Sequence, residues 1–282
     1  MELIIYSNAE VFLKKVSPLL YKNEDRNSLC LGILGQIQAN RYTDYFLALA
    51  EEGETIVAAC LMTPPHALQV VVFQDLPNIE HEIAKHLQNL GVQVSGIVGE
   101  QQIARRFANA WTQKKGERAE VLMNQGLYRI DAVNKHVTKS IGSWRIASKK
   151  DADRLTEWYR IFELETGIDR QSTQAEAATK ITDFIDRKEV YVWEVNEQVV
   201  SCMKKSRPTK HGITISFVFT PKDQRGNGYA TTLVAEVTDE LLLEYDFAML
   251  YTDLTNQTSN KIYRTIGYEQ IANPVHLLFT ER

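Results

Sequence analysis

ITISFVFTPKDQRGNGYA, residues 213–230, joins two periodicities through a glycine loop. The apolar, β-branched run Ile213–Thr220 predicts a strand, and Pro221 ends it because proline has no N–H to give the ladder. From Tyr229 onward Leu233, Val234, Val237 and Leu241 take helical spacing. Between the two lie Gln224-Arg225-Gly226-Asn227-Gly228. The first amides of a helix have no partner within it, and the helix dipole is positive there, so such a loop can receive an anion. Gly226 and Gly228 permit positive φ and a close approach of ligand to backbone. Arg225 and Lys222 add positive charge. The stretch is neither GxxxxGK[ST] nor a GxGxxG with an acidic residue about 20 positions on. Taken alone, an anion cradle and a plain strand-to-helix turn stand equal.

The residues downstream favour the cradle. A second apolar strand, Phe247–Tyr251, leads into Thr252-Asp253-Leu254-Thr255-Asn256 and a short helix, Gln257–Ile266, with Gly267 where a C-cap glycine belongs. A Q/R-x-x-G-x-G/A loop at Gln224 to Gly228, an N-x6-Y spacing at Asn256 and Tyr263, and Gly267-Tyr268 follow one another in order. Over about residues 142–282 the chain resembles the GNAT superfamily of acetyl-CoA-dependent N-acyltransferases. The run YTDLTNQTSNKIYRTIGYE is most similar to its FR47-like branch.

The resemblance implies roles residue by residue. Backbone amides of Gln224, Arg225, Gly226, Asn227, Gly228, Tyr229 and Ala230 would hold the pyrophosphate of coenzyme A. The strand through Phe217, Val218 and Phe219 would splay from its neighbour and bond the pantetheine arm by its main chain. Asn256 would contact pantetheine or pyrophosphate, with Asn260 adding a cofactor contact. Tyr263 would protonate the leaving thiolate, and a main-chain amide near Phe219 would stabilise the oxyanion. Taken without the motif, Tyr263 is a packed core tyrosine. The general base is not fixed by sequence. Glu163 and Glu165 end the helix that rims the acceptor site, and Glu194 lies on a central strand. Glu165 is preferred, flanked by Leu164 and near Phe162. Ser216 is a possible acceptor contact, and Trp144, Trp158, Tyr159, Trp193 and Phe217 are either an acceptor lining or core. The implied reaction moves an acetyl group from acetyl-CoA to a primary amine of a small or medium acceptor. The alternatives are an enzyme for a longer acyl-CoA or an amino-acid acceptor, and a non-catalytic acyl-CoA-binding module.

Composition agrees with a soluble globular protein. The 282 residues are 44% apolar and 24% charged, with a net charge of −4. This near-neutral balance, with no long basic run, gives no face for nucleic acid. No apolar stretch has the length of a membrane span, and MELIIYSNAEVF does not read as a signal peptide. Cys30, Cys60 and Cys202 are scattered in apolar surroundings, which favours buried thiols, and the six histidines show no metal-ligand spacing. A cytoplasmic protein without a metal, monomeric or homodimeric, is the expectation.

The chain length predicts two domains. The second half reads βααβββαβαβ: strand 143–147, a helix to about Glu165, helix 173–187, strands 190–195, 199–206 and 212–219, the loop and long helix, strand 247–251, helix 257–266 and strand 269–280. The first half repeats that order: strand 3–6, helices 9–21 and 25–40, strands 45–50, 55–63 and 68–73, helix 79–90, strand 93–98, helix 101–115 and strand 120–132. The expected fold is α+β, two tandem GNAT-like domains with mixed, mostly antiparallel sheets flanked by helices. Their bounds are 1–136 and 142–282, with the polar stretch 134–142 as linker. In the first half Gln74-Asp75-Leu76-Pro77-Asn78 replaces the glycine loop, and Asp75 would repel a pyrophosphate. Gly99-Glu100-Gln101-Gln102 stands where Asn256 would have its counterpart, and Trp111 replaces the Gly-Tyr ending. The first domain is therefore expected to be a degenerate copy without a cofactor loop.

Overall fold

The computed structural model describes residues 1–113, 116–167 and 171–281. Its contacts divide the chain into two compact units, Met1–Leu127 with Gln270–Arg282, and Tyr128–Glu269.

The first unit contains β1 (Glu2–Ile5), α1 (Ala9–Leu20), α2 (Ser28–Gln38), β2 (Phe46–Glu52), β3 (Thr55–Met62), β4 (Gln69–Val72), α3 (Ile79–Asn89), β5 (Gly96–Glu100), α4 (Gln101–Thr112) and most of β6 (Glu117–Ile130). Strands β1 to β4 form an antiparallel meander in sequence order. Its alternating side chains feed two cores. Phe12, Val16, Leu34, Leu47 and Leu61 fill one, and Ala58, Ile83, Leu87, Phe107 and Trp111 the other. The helix expected from Asp25 starts at Ser28, and the strand expected from Gln93 starts at Gly96. The expected helix end at Lys115 lies outside the described residues.

The second unit contains β7 (Ser143–Ile146), α5 (Ala152–Glu165), α6 (Gln174–Asp186), β8 (Val190–Val195), β9 (Gln198–Ser206), β10 (Gly212–Phe219), α7 (Tyr229–Leu241), β11 (Phe247–Asp253) and α8 (Gln257–Ile266). The strands lie in the order β7-β8-β9-β10-β11, antiparallel except for the parallel pair β10–β11. Helix α7 contributes Leu233, Val234 and Val237 to the core with Met203, Ile213 and Ile215. Helices α5 and α6 contribute Leu155, Trp158 and Ile181 to a second core with Val192, Cys202 and Phe217. The helix starts are capped by side chains: Thr173 and Glu176 form a reciprocal capping box, as do Ser148 and Asp151 ahead of α5.

The last strand is where the chain departs from a simple tandem. The expected strand 269–280 breaks into β12 (Glu269–Ala272) and β13 (Pro274–Glu281). Pro274 lacks the donor that would continue β12. β13 belongs to the first unit, antiparallel to both β5 and β6. Conversely Tyr128 and Ile130, at the end of β6, pack in the core of the second unit. Among the described residues no helix is long and apolar enough to cross a membrane. The three cysteines are free and buried.

Candidate functional site

Strand β10 becomes irregular as it nears the glycine loop. Its register with β9 runs Thr214↔Ser206, Ile215↔Lys205, Ser216↔Lys204, and then jumps to Phe219↔Cys202. Phe217 and Val218 thus stand against Met203 alone, a β-bulge. Phe217 has φ 47°, a left-handed conformation that costs a bulky side chain roughly 1–3 kcal/mol. Its buried ring is held edge-on by Tyr159 at 5.1 Å and Phe162 at 5.2 Å, both from α5. On its other side β10 pairs with β11 only from Gly212↔Phe247 to Ile215↔Leu250, although β11 runs on to Asp253. The two strands therefore part beside the bulge, the splay that the resemblance implies.

Beyond Pro221 the chain makes a 3-10 turn, Lys222–Gln224, and then the loop proper. Gly226 and Gly228 have φ 85° and 77°, and Gly228 is the N-cap of α7. A Cβ on Gly226 would meet open space, whereas one on Gly228 would lie 3.1 Å from Ser140 Oγ. Thr232 N donates to Gly228 O at 3.0 Å, the first bond of the helix. The amides of Gly226, Asn227, Gly228, Tyr229, Ala230 and Thr231 have no acceptor among the described residues. Spacing places the Q/R-x-x-G-x-G/A pattern on Arg225, Gly228 and Ala230, one residue later than Gln224 to Gly228.

The loop is braced by residues that the sequence offers only as linker. Ser140 Oγ donates to Asn227 O at 3.1 Å, and Ser140 N donates to Thr232 Oγ1 at 2.9 Å. Asn134 N donates to Ile266 O at 2.8 Å, and Lys139 pairs with Glu236 at 2.9 Å. The segment 134–142 is thus packed structure, because its polar side chains satisfy loop and helix ends. Within the loop Asn227 Nδ2 donates to Gln224 O at 3.0 Å.

Arg225 points elsewhere than expected. Its Nε donates to Thr220 O at 2.8 Å, and its Nη2 pairs with Glu165 Oε2 at 2.7 Å. The structure thereby brings Glu165, the last residue of α5, onto the glycine loop. The other carboxylate candidates are engaged structurally. Glu163 is buried and accepts from Ser172 N at 2.7 Å and Ser172 Oγ at 2.8 Å, with Lys180 at 3.5 Å. Glu194 pairs with Arg145 at 2.7 Å. Ser216 Oγ lies 3.1 Å from Ser206 Oγ. Trp158 packs on Phe219, Trp144 on Tyr191, and Trp193 is buried with its Nε1 donating to Ile141 O at 2.9 Å.

Helix α8 presents the remaining residues. Asn256 is its exposed N-cap and accepts from Ser259 N at 3.1 Å, leaving its Nδ2 for any ligand. Asn260 is buried and donates through Nδ2 to Asp253 O at 3.0 Å and Leu254 O at 3.2 Å. Its Oδ1 is sealed from solvent without a partner, a deficit that a bound donor would cure. Tyr263 is buried edge-on to Tyr268 at 6.0 Å, and its hydroxyl has no partner among the described residues. Burial pushes the Tyr263 hydroxyl well above the ordinary tyrosine pKa, so it keeps its proton at neutral pH. These features fit a phosphate- and amide-bearing ligand. Free amides and paired glycines could receive an anion, and an orphaned acceptor and a protonated phenol lie on α8. Among the described residues no group of three or more His, Cys, Asp or Glu is placed to hold a metal.

The first unit has the same parts in a different state. Asn78, at φ 61°, caps α3 in the left-handed conformation that Gly228 takes at α7. Ile79 N already donates to Leu76 O at 3.2 Å. The β3–β4 register is regular, with no bulge. Glu100 caps α4, accepting from Gln102 N at 3.0 Å and Ile103 N at 2.9 Å, as Asn256 caps α8. At the spacing of Tyr263 from its cap stands Phe107, which has no hydroxyl. That substitution is visible in the sequence once the two caps are aligned, and the sequence reading missed it.

Residues 196–277 match the family model described as FR47-like protein. No curated protein matches the sequence. Solved structures do match over nearly the whole length. An acetyltransferase of the GNAT family from Colwellia psychrerythraea is 12% identical, with 99% of this chain and 100% of that one covered and a TM-score of 0.62. A tandem GNAT protein from the clavulanic acid biosynthesis pathway is 11% identical, covering 99% and 98%, with a TM-score of 0.59. A GCN5-related N-acetyltransferase from Sphaerobacter thermophilus is 14% identical, covering 99% and 95%, with a TM-score of 0.61. At these identities the likeness carries the fold. The chain has the GNAT fold in tandem, and the FR47-like match covers the later part of the second unit and runs on into β13.

Proposed function

We propose that the second unit is an acetyl-CoA-dependent N-acetyltransferase acting on a primary amine of a small or medium acceptor. The observation that carries this reading is the run of unpaired amides from Gly226 to Thr231, set beside a bulged strand that has left its neighbour. A pyrophosphate fits the amides, and a pantetheine arm fits the edge along Phe217, Val218 and Phe219 where β10 has parted from β11. Acetyl-CoA would supply a thioester open to direct attack by a neutral amine. Tyr263 is suited to deliver a proton to the departing sulfur, because burial keeps it protonated. Glu165, paired with Arg225 of the loop, is the candidate to take the proton from the amine. Asn256 Nδ2 and Asn260 Oδ1 remain for the cofactor's polar groups.

The test is acetyl-CoA titration followed by thiol release across a panel of amines. Acetyl-CoA binding with amine-dependent thiol release supports the proposal. Binding without turnover for any amine or acyl chain would leave a binding module, and no CoA binding would refute the reading.

A further inference from the structure

We propose that Arg225 and Glu165 form a latch, closed in the free protein, that opens when an anion enters the glycine loop. The inference rests on the cofactor reading above and adds to it a coupling between the anion loop and the carboxylate Glu165. Arg225 precedes the first unpaired amide of the loop, yet its guanidinium is turned away from that run. Nε is spent on Thr220 O at 2.8 Å and Nη2 on Glu165 Oε2 at 2.7 Å. The pair is partly open to solvent, with the two side chains 45% and 31% exposed. Such a pair is weak, because water screens it and two long side chains must be ordered to hold it. A pyrophosphate on the adjacent amides offers the same guanidinium more charge and a two-pronged set of oxygens. Arg225 then trades the carboxylate for phosphate by side-chain rotation alone.

Release of Glu165 has a consequence on the acceptor side. Among the described residues Glu165 has no ion-pair partner besides Arg225. Freed, it is a lone carboxylate at the end of α5, the helix whose Tyr159 and Phe162 hold the bulge of β10. A lone carboxylate there attracts an ammonium and can accept its proton, whereas a carboxylate bound to arginine offers neither. The two sites are then coupled, and the coupling is reciprocal: CoA raises affinity for the amine, and the amine raises affinity for CoA.

A double-mutant cycle read by CoA calorimetry tests the latch. Glu165→Ala releases Arg225 and should tighten CoA binding by about two- to five-fold, the strength of an exposed pair. Arg225→Gln should weaken it, and adding Glu165→Ala to Arg225→Gln should then bring no gain. Glu165→Gln serves as a second variant and should give a gain of the same sign. CoA binding to Glu165→Ala and Glu165→Gln that equals or falls below wild type would overturn the latch. So would a gain that persists without Arg225. If the unmutated protein fails to bind CoA, it is the cofactor reading that has failed, so the two failures are distinct.

Discussion

Tyr263 combines burial with an unpartnered hydroxyl, and both properties can be tested. Tyr263→Phe removes no hydrogen bond among the described residues, so its melting temperature and CoA affinity should stay near wild type. Turnover should fall by about 10²-fold, the usual contribution of a positioned acid. Because the folded pKa is raised above the unfolded value, near 10, the associated stability is complete below that value and is lost as pH rises from it through the higher folded value. Urea unfolding in mildly and strongly alkaline buffer should show this loss in wild type and less of it in Tyr263→Phe. A collapse of CoA affinity in the variant would make Tyr263 a binding residue instead. Gly228 offers a second check at this scale. At φ 77°, with Ser140 Oγ 3.1 Å from the Cβ position, Gly228→Val should cost roughly 1–3 kcal/mol and abolish CoA binding. Retained affinity would place the cofactor elsewhere.

At the scale of elements, the start of the second unit depends on one charge cluster. Arg145 on β7 holds Asp151 through two bonds of 2.8 and 2.9 Å and Glu194 on β8 through a third of 2.7 Å. Burial alone would raise the Asp151 pKa, but Arg145 and the Ser148 amide and hydroxyl outweigh it, and the net shift is downward. The stability it confers is therefore present above the unfolded value near 3.8 and lost as pH falls through the lower folded value. Asp151→Asn should cost roughly 3 kcal/mol at neutral pH and flatten the acid limb of the stability curve. An unchanged acid limb would deny Asp151 that role.

The elements themselves were legible because their periodicities are local: the hairpins, the helix caps and the glycine loop all fell close to their observed bounds. The features that shape the site were less so. Nothing in a β-branched run marks Phe217 as left-handed, because its support comes from Tyr159 and Phe162 on another helix. Ser140 reaches the loop across 87 positions and Glu165 across 60. Contacts at such separations leave no local pattern.

For the whole molecule, the return of β13 to the first unit means that the first unit is built from two pieces of chain, and the second runs from Tyr128 to Glu269. A fragment 1–136 lacks the strand that pairs with both β5 and β6. A fragment 142–282 lacks Tyr128 and Ile130 from its core. Each expressed alone should fail to give a cooperative unfolding transition by circular dichroism, and a cooperative transition in either would show that the exchanged strands are dispensable. The unit that kept its glycines, bulge and tyrosine is also the one expected to bind. The first has Asn78 at the helix cap, a regular β3–β4 pair and Phe107 in place of the phenol. One site per chain is therefore expected, in the second unit. Calorimetric titration of the full chain with acetyl-CoA should show a single molecule bound per chain, and none in Gly228→Val. No binding, a second equivalent per chain, or binding that survives Gly228→Val would contradict it.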